Sequence, residues 1–194
     1  AGEEALAAAA HRRLDADLPD LLTVVAPRHA NRGAEIAQEL AGLGLGLAAA
    51  RRALGAVPDA ACGIYLADTR GELGLFCRLA PVVVMGGSFV PHGGQNPVEP
   101  AQLGAAVLYG PHMFNFSEFT QRLEAAGGAL RLADGEALAP ALAGLLADPA
   151  ARAPLVDGAA AVTEANRRIV DDVLTALRPM LRAAGVIPPA PTAP

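Results

Sequence analysis

The chain of 194 residues contains no lysine, so all 15 of its basic residues are arginines. Tryptophan is also absent and aromatic residues make up only 4% of the chain, so the core must consist mainly of leucine, valine and alanine. The missing lysine and the excess of alanine, glycine and proline indicate a bias in coding composition rather than a function. The formal net charge of −5 argues against a general nucleic-acid-binding protein, because such proteins are usually basic.

Cysteine is scarce as well. Cys62 and Cys77 are the two cysteines, too few for a disulfide framework, and each is typical of a small core residue in a reducing compartment. The four histidines and two cysteines show no metal-ligand spacing, so the sequence predicts no metal site. Neither a phosphate-binding Walker A pattern nor the GxSxG pattern of a hydrolase is present.

Long apolar runs are missing too. No stretch approaches the roughly 18 apolar residues of a membrane-spanning helix, and the start of the chain does not read as a signal peptide. The length favours one domain with a proper core. We predict that residues 1–187 form this domain and that the proline-rich residues 188–194 form a disordered or extended tail.

The chain does contain a regular alternation of short β-branched segments with helical ones. Strands are predicted at 21–26, 64–67, 81–85, 106–109 and 129–132. Helices are predicted at 3–14, 31–40, 72–79, from 96 onward, and at 114–125, 136–147 and 159–177, while 43–50 fits either type. This alternation predicts an α/β, Rossmann-like fold with a mostly parallel sheet flanked by helices.

Polar and glycine-rich segments follow several predicted strands, where open α/β sheets bind ligands. Pro27 and Arg28 follow the first strand. A guanidinium is always charged and offers a planar fork of donors, so Arg28 is a candidate for gripping an anion. The alternative is a solvated surface arginine that pairs with a nearby acid.

Arg70, Gly71 and Glu72 form a predicted turn before a helix, where free backbone N–H groups attract anions. Thr69 with Glu72 three residues later also fits a helix capping box, and both interpretations can hold together. Gly87 and Ser88 follow a buried strand; they would admit a ligand close to the backbone, with the Ser88 hydroxyl as a donor, or they simply form a tight turn.

The segment Asn96-Pro97-Val98-Glu99 again fits a capping box, with Asn96 as N-cap and Pro97 at the first helical position. Alternatively, Glu99 accepts hydrogen bonds from the ribose hydroxyls of a nucleotide, as carboxylates do in many nucleotide sites. His112 and Asn115 follow a further strand and are candidates to face a ligand. Phe114 and Phe116 are expected to be core anchors.

Four segments together resemble one family: APRH at 26–29, ADTRGEL at 67–73, GGSFVPHGGQNPVEPA at 86–101 and GPHMFNF at 110–116. In this order and at about this spacing they are similar to the C-terminal domain of 3-deoxy-D-manno-octulosonic acid (Kdo) transferases, which are GT-B glycosyltransferases of lipopolysaccharide synthesis. The chain departs from the family pattern at Arg70, where the family usually has an apolar residue, and at Gln95, where it commonly has histidine.

The resemblance implies a domain that binds the donor CMP-Kdo, or CMP, without a metal or other cofactor. It implies that His112 and Asn115 lie on the donor-sugar side. The implied nucleotide-binding residues are Pro27, Arg28, Arg70, Gly71, Glu72, Gly87, Ser88, Asn96, Pro97, Val98 and Glu99.

For the full enzyme, the resemblance implies Kdo transfer to a lipid A precursor at the cytoplasmic face of the bacterial inner membrane. The acceptor site and the glutamate general base belong to the family's N-terminal domain, so this chain is expected to bind a cytidine nucleotide without catalysis. A family strand would directly precede Gly2-Glu3-Glu4, which predicts a chain excised after that strand and a sheet lacking a central member.

Two alternatives remain open. One is another GT-B activity, such as a UDP-sugar transferase or a nucleotide-sugar 2-epimerase, against which the NPVEP and GPHMFNF segments argue. The other is a non-catalytic nucleotide-binding module, against which the presence of Arg28 and Glu99 argues.

Overall fold

The computed structural model describes residues 2–47 and 49–188, without the side chains of Val170 and Asp171. Within them the helices are α1 Glu3–Leu14, α2 Gly33–Gly42, α3 Leu73–Leu79, α4 Val98–Gln102, α5 Ser117–Ala125, α6 Leu138–Ala147 and α7 Pro149–Ala183. Short 3-10 helices occupy Ala30–Arg32, Arg52–Leu54 and Phe114–Phe116. The strands are β1 Thr23–Val25, β2 Ala49–Arg51, β3 Ile64–Leu66, β4 Val82–Val84, β5 Ala106–Tyr109 and β6 Ala129–Arg131.

The strands form two three-stranded sheets, ordered β1-β3-β2 and β4-β5-β6, in which every pair is parallel. The predicted α/β, Rossmann-like fold is therefore confirmed, although the predicted single sheet is divided in the described chain. Val24 lies opposite Tyr65 in the first sheet and Val83 lies opposite Val107 in the second. Helix α1 links the two halves, because it packs against β1 and α2 on one side and against α6 on the other.

In each half of the chain, the core surrounds the strand that is covered on both faces. All residues of β3 and β5 are buried, which explains why both segments read as continuous apolar runs. Around β3, the buried apolar residues include Ile36, Leu40 and Leu66. Around β5, α5 and α7 cover one face and α6 covers the other.

The long C-terminal helix differs most from its predicted extent of 159–177. It begins at Pro149, and the Asp148 side chain caps it by accepting a hydrogen bond from the Ala150 N–H at 2.8 Å. The predicted break at Asp148-Pro149 thus separates α6 from α7, because proline is favoured in the first turn of a helix. Residues 189–194 of the predicted tail lie outside the described residues, and no described helix is both long and apolar enough to span a bilayer.

His11 of α1 is buried, and this makes the stability of the fold sensitive to pH. Its Nδ1 lies 2.9 Å from the Thr23 hydroxyl, and a Cβ on Gly63 would lie 2.8 Å from its Nε2. Burial lowers the pKa of His11, against the opposing effect of Asp15. The folded state therefore favours neutral His11. The resulting contribution to the stability of the fold is present above the unfolded pKa of about 6.5 and is lost as pH falls through the folded pKa.

We expect the melting temperature to fall as pH is lowered from about 7.5 to about 5.5, and to fall less in His11→Gln. Thermal unfolding by circular dichroism at several pH values measures both slopes. The exposed His29 supplies the control, because His29→Gln is expected to retain the wild-type slope. Equal slopes in His11→Gln and the wild type would contradict this assignment.

Candidate functional site

The loops at the carboxyl ends of β1 and β4 meet through Arg28 and Gln95. The Arg28 Nη1 donates a hydrogen bond to Gln95 Oε1 at 2.7 Å, and the Arg28 side chain is otherwise exposed. Because β1 pairs with β3, the segment that carries Arg28 also lies beside the turn that follows β3. Arg28 thus bonds to the segment after β4, and the turn after the neighbouring strand β3 is the third predicted site segment at this edge of the strands.

Residues 86–95, which we call the glycine loop, fold back on themselves. The Gly94 N–H donates to Gly87 O at 2.8 Å and the Gln95 N–H donates to Gly86 O at 2.9 Å. Gly87 and Gly94 have positive φ angles of 72° and 80°, which other residues rarely adopt. The backbone of the loop therefore determines where Gln95 is presented.

Ser88 connects the glycine loop to the segment after β5. Its buried hydroxyl donates to Met85 O at 2.6 Å and accepts from the Gly110 N–H at 2.9 Å, while Ser88 O accepts from the His112 N–H at 2.9 Å. The sequence suggested this hydroxyl as a ligand donor, and the structure corrects that expectation, because the hydroxyl proton is used inside the protein.

The backbone N–H groups of the loop are also bonded. Glu3, the first residue of α1, accepts hydrogen bonds from Ser88 N–H at 2.9 Å and Phe89 N–H at 2.8 Å through Oε1, and from Gly87 N–H through Oε2. The N–H groups of Gly87 and Ser88, expected to meet a ligand, hold a carboxylate of the chain itself. The sequence placed Glu3 only at the start of a predicted helix, because nothing local reveals a partner 84 residues away.

Asp68, just after β3, is a buried carboxylate held by two hydrogen-bond donors and an ion pair. Arg51 donates to its Oδ2 through Nε at 2.8 Å and also places Nη2 2.8 Å from that oxygen as an ion pair, and the Ala53 N–H donates to Oδ1 at 2.8 Å. Burial alone would raise the pKa of Asp68, but the bonds from Ala53 and Arg51 lower it overall. Gly33 is required here, since a Cβ would lie 1.9 Å from Asp68 Oδ2.

Glu72 is engaged by Arg52 rather than by the helix that follows it. Arg52 donates through Nη2 to Oε1 at 2.7 Å and through Nε to Oε2 at 3.2 Å, and the Thr69 hydroxyl donates to Oε2. Arg52 first and Thr69 second lower the pKa of Glu72 to about 2. The predicted capping box is wrong, because α3 begins at Leu73 and the Glu72 side chain makes no cap bond. Gly71 and Arg70 lie exposed in the turn.

Helix α4 begins one residue later than predicted. Asn96 Oδ1 accepts a hydrogen bond from the Val98 N–H at 3.0 Å, while Pro97 occupies the N-cap position. Glu99 does not complete the predicted capping box. Instead its carboxylate turns towards α3, where Oε1 would lie 3.1 Å from a Cβ on Gly74. Burial raises the pKa of Cys77 in α3, and the negative charge of Glu99 raises it further. No protein donor among the described residues bonds the Glu99 carboxylate.

Asn115 joins the segment after β5 to the glycine loop. Its Nδ2 donates to His92 O at 3.2 Å and its N–H donates to Gly93 O at 3.1 Å. His112 lies half-buried beside them, so both candidates on the expected sugar side adjoin the glycine loop. Phe116 packs against the core, but Phe114 is 60% exposed, which corrects its expected role as a core anchor.

The structure thus gathers the predicted residues at the carboxyl ends of the strands and adds residues that had no predicted role in the site. These additional residues are Glu3, Arg51, Arg52 and Asp68. In the described ranges, no three His, Cys, Asp or Glu side chains come together as metal ligands.

Comparison with known proteins relates this geometry to one family, although no protein-family model matches the chain. The chain is 38% identical over 173 residues to the 3-deoxy-D-manno-octulosonic acid transferase of Bordetella pertussis, covering 89% of this chain and 39% of that protein. It is 33% identical over 181 residues to the transferase of the same name in Haemophilus influenzae, covering 93% and 42%. The chain therefore spans about two-fifths of the length of these curated relatives.

A solved structure covers nearly the same region. The crystal structure of the C-terminal CMP-Kdo binding domain of WaaA from Acinetobacter baumannii has a TM-score of 0.78 and 32% sequence identity. The match covers 84% of this chain and 83% of that one. On these likenesses in sequence and fold, the chain belongs to the 3-deoxy-D-manno-octulosonic acid transferase family.

Proposed function

We propose that this chain is the donor-binding domain of a glycosyltransferase that moves Kdo from CMP-Kdo to a lipid A precursor in lipopolysaccharide synthesis. The relatives carry the name of this transferase, and the structural neighbour is a domain that binds CMP-Kdo. The observation that carries the proposal is the convergence of Arg28 with the glycine loop through the 2.7 Å bond to Gln95. This convergence places an exposed cation at the strand ends where such folds bind nucleotides.

In this proposal Arg28 binds the phosphate of CMP. Gln95 holds one Nη of the guanidinium, and the remaining N–H groups of the fork suit phosphate oxygens. Pro27 fixes the backbone before Arg28, and the turn at Gly71 supplies N–H groups nearby, with Arg70 exposed beside it. Glu72 supports the turn through Arg52.

Glu99 binds the ribose hydroxyls. Its carboxylate has no donor among the described protein groups, and it sits at the start of a helix whose backbone is fixed by Pro97, Pro100 and the bond from Val98 to Asn96. A half-buried acceptor on a rigid element suits two vicinal hydroxyl donors. His112 and Asn115 then face the sugar of the donor.

Transfer of Kdo leaves CMP, so negative charge builds on the leaving phosphate. Arg28 and the backbone N–H groups of the turn stabilise that charge by preorganised electrostatics, and the proposal therefore needs no metal or other cofactor. The acceptor and the general base lie outside this chain. Because the acceptor is a lipid, the whole enzyme would work at a membrane surface, which we propose is the cytoplasmic face of the inner membrane.

Calorimetric titration of this chain with CMP and with UMP tests the proposal. We expect selective CMP binding that is weakened about thirtyfold, or about 2 kcal/mol, in Arg28→Ala and in Glu99→Ala, since each removes a hydrogen bond to a charged group. Arg182→Ala and Glu118→Ala are matched exposed controls, and both should bind like the wild type.

Three results would count against the proposal. Absence of CMP binding would overturn the donor-binding role of this chain. Equal affinity for UMP would favour another nucleotide-sugar enzyme. Unchanged affinity in both site variants would place the nucleotide elsewhere.

A further inference from the structure

Three consecutive backbone N–H groups of the glycine loop converge on the carboxylate of Glu3. The bonds from Ser88 and Phe89 measure 2.9 and 2.8 Å, and Gly87 supplies the third donor. Successive N–H groups that point to one side form an anion-binding concavity. In this protein the concavity is filled by a side chain from α1, which comes from a distant part of the sequence.

This carboxylate fixes one end of a chain of bonds that reaches Arg28. Gly86 and Gly87, next to the bonded N–H groups, accept the hydrogen bonds from Gln95 and Gly94 that close the loop. Gln95 in turn accepts the 2.7 Å bond from Arg28. A shift of the loop backbone at Gly87 therefore moves the acceptor that orients the Arg28 guanidinium.

Glu4, the next residue, has a different partner. Its Oε1 accepts a bond from Arg32 Nη1 at 3.1 Å, which ties α1 to the start of α2 and not to the glycine loop. Two carboxylates of the same helix turn, both partly buried, thus hold different parts of the fold. This arrangement provides a control in which charge, helix position and burial are nearly matched.

We propose that Glu3 is a positioning residue that sets the glycine loop, and through it Gln95 and Arg28, in the arrangement that binds the donor. Glu3 does so without touching the donor, and the inference rests on the donor-binding function proposed above. Its removal should loosen the loop and weaken CMP binding, while the strands on either side remain paired.

The experiment compares the wild-type chain with Glu3→Gln, Glu3→Asp and Glu4→Gln. Glutamine keeps the size of Glu3 but turns an amide NH2 towards backbone donors, whereas aspartate keeps both acceptor oxygens on a shorter side chain. Amide hydrogen exchange by NMR follows Gly87, Ser88 and Phe89, with the amides of β5 as an internal reference. Calorimetry measures the dissociation constant for CMP.

In Glu3→Gln we expect exchange at the three loop amides to accelerate about tenfold or more, with β5 unchanged, because local opening replaces a bonded state. CMP affinity should fall about tenfold, and Glu3→Asp should recover part of both losses. Glu4→Gln should change neither loop exchange nor CMP affinity by more than about twofold.

Faster loop exchange with unchanged CMP affinity would show that Glu3 has only a structural role and would overturn the proposal. Unchanged exchange in both Glu3 variants would also overturn it. If the wild type binds no CMP, that result contradicts the donor-binding function and, with it, the expected effect of Glu3 on CMP affinity. The exchange rates then decide by themselves whether Glu3 holds the loop, so the two failures can be distinguished.

Discussion

Replacing Asp68 by alanine is expected to lower the free energy of unfolding by about 3 kcal/mol, at the lower end of the cost of breaking a buried ion pair. The Asp68 side chain is fully buried, while Arg51 is 20% exposed. Alanine would leave the guanidinium of Arg51 and the Ala53 N–H without their acceptor. Urea unfolding followed by circular dichroism measures the loss.

The exposed ion pair of Arg13 with Glu136 is the control for Asp68. Glu136→Ala removes a pair of similar length that lies in solvent, and it should cost less than about 1 kcal/mol. If Asp68→Ala costs no more than Glu136→Ala, the buried pair does not stabilise the ends of β2 and β3. The lowered pKa of Asp68 also predicts how stability depends on pH. The stabilisation that Asp68 provides is present above its unfolded pKa of about 3.9 and is lost as pH falls through the folded pKa.

Replacing Gly94 by alanine is expected to cost about 3 kcal/mol of unfolding free energy and to weaken CMP binding. Gly94 has a φ of 80°, which costs a residue with a Cβ about 1–2 kcal/mol. The new Cβ would also lie 2.2 Å from the sulfur of the buried Met113, and such overpacking adds about 1–3 kcal/mol. Urea unfolding and CMP calorimetry on the same variant measure the two effects.

A matched variant at Gly104 distinguishes the cost of the positive φ from the cost of overpacking. Its φ of 84° is nearly the same, but a Cβ there would meet nothing within 4 Å. Gly104→Ala should therefore show only the backbone cost, about 1–2 kcal/mol, and keep the wild-type affinity for CMP. Equal losses in both variants would mean that Met113 moves aside and that the close packing of the glycine loop against residues 112–115 contributes little.

The sequence was sufficient for the fold class because its signal is local. The β-branched runs at β3, β4 and β5 alternate with helical segments, and each predicted strand appears within two residues of its expected limits. The undecided segment 43–50 contains the start of β2. The strand has only three residues and follows a glycine-rich segment, so its sequence pattern is too weak to predict. The loops that carry the candidate site were predictable for the same reason, since they follow those strands.

The contacts within the site were not predictable, because they depend on which side chains from distant parts of the sequence the fold brings close together. Thr69 and Glu72 have capping-box spacing, but Arg52 reaches the Glu72 carboxylate from the 3-10 helix after β2 and bonds it. Glu99 likewise has the right spacing from Asn96 but turns towards Gly74 of α3. Spacing along the chain cannot reveal competition of this kind.

The division of the strands into two sheets has a consequence for cooperativity. In the described residues no ladder of backbone hydrogen bonds joins the sheet of β1, β2 and β3 to that of β4, β5 and β6. The halves are coupled instead by α1 packing and by side-chain bonds such as Glu3 to the glycine loop and Arg28 to Gln95. Such halves are natural candidates for separate unfolding units. A ligand that contacts both would act as a thermodynamic crosslink, stabilising the two against independent opening in proportion to the logarithm of its concentration.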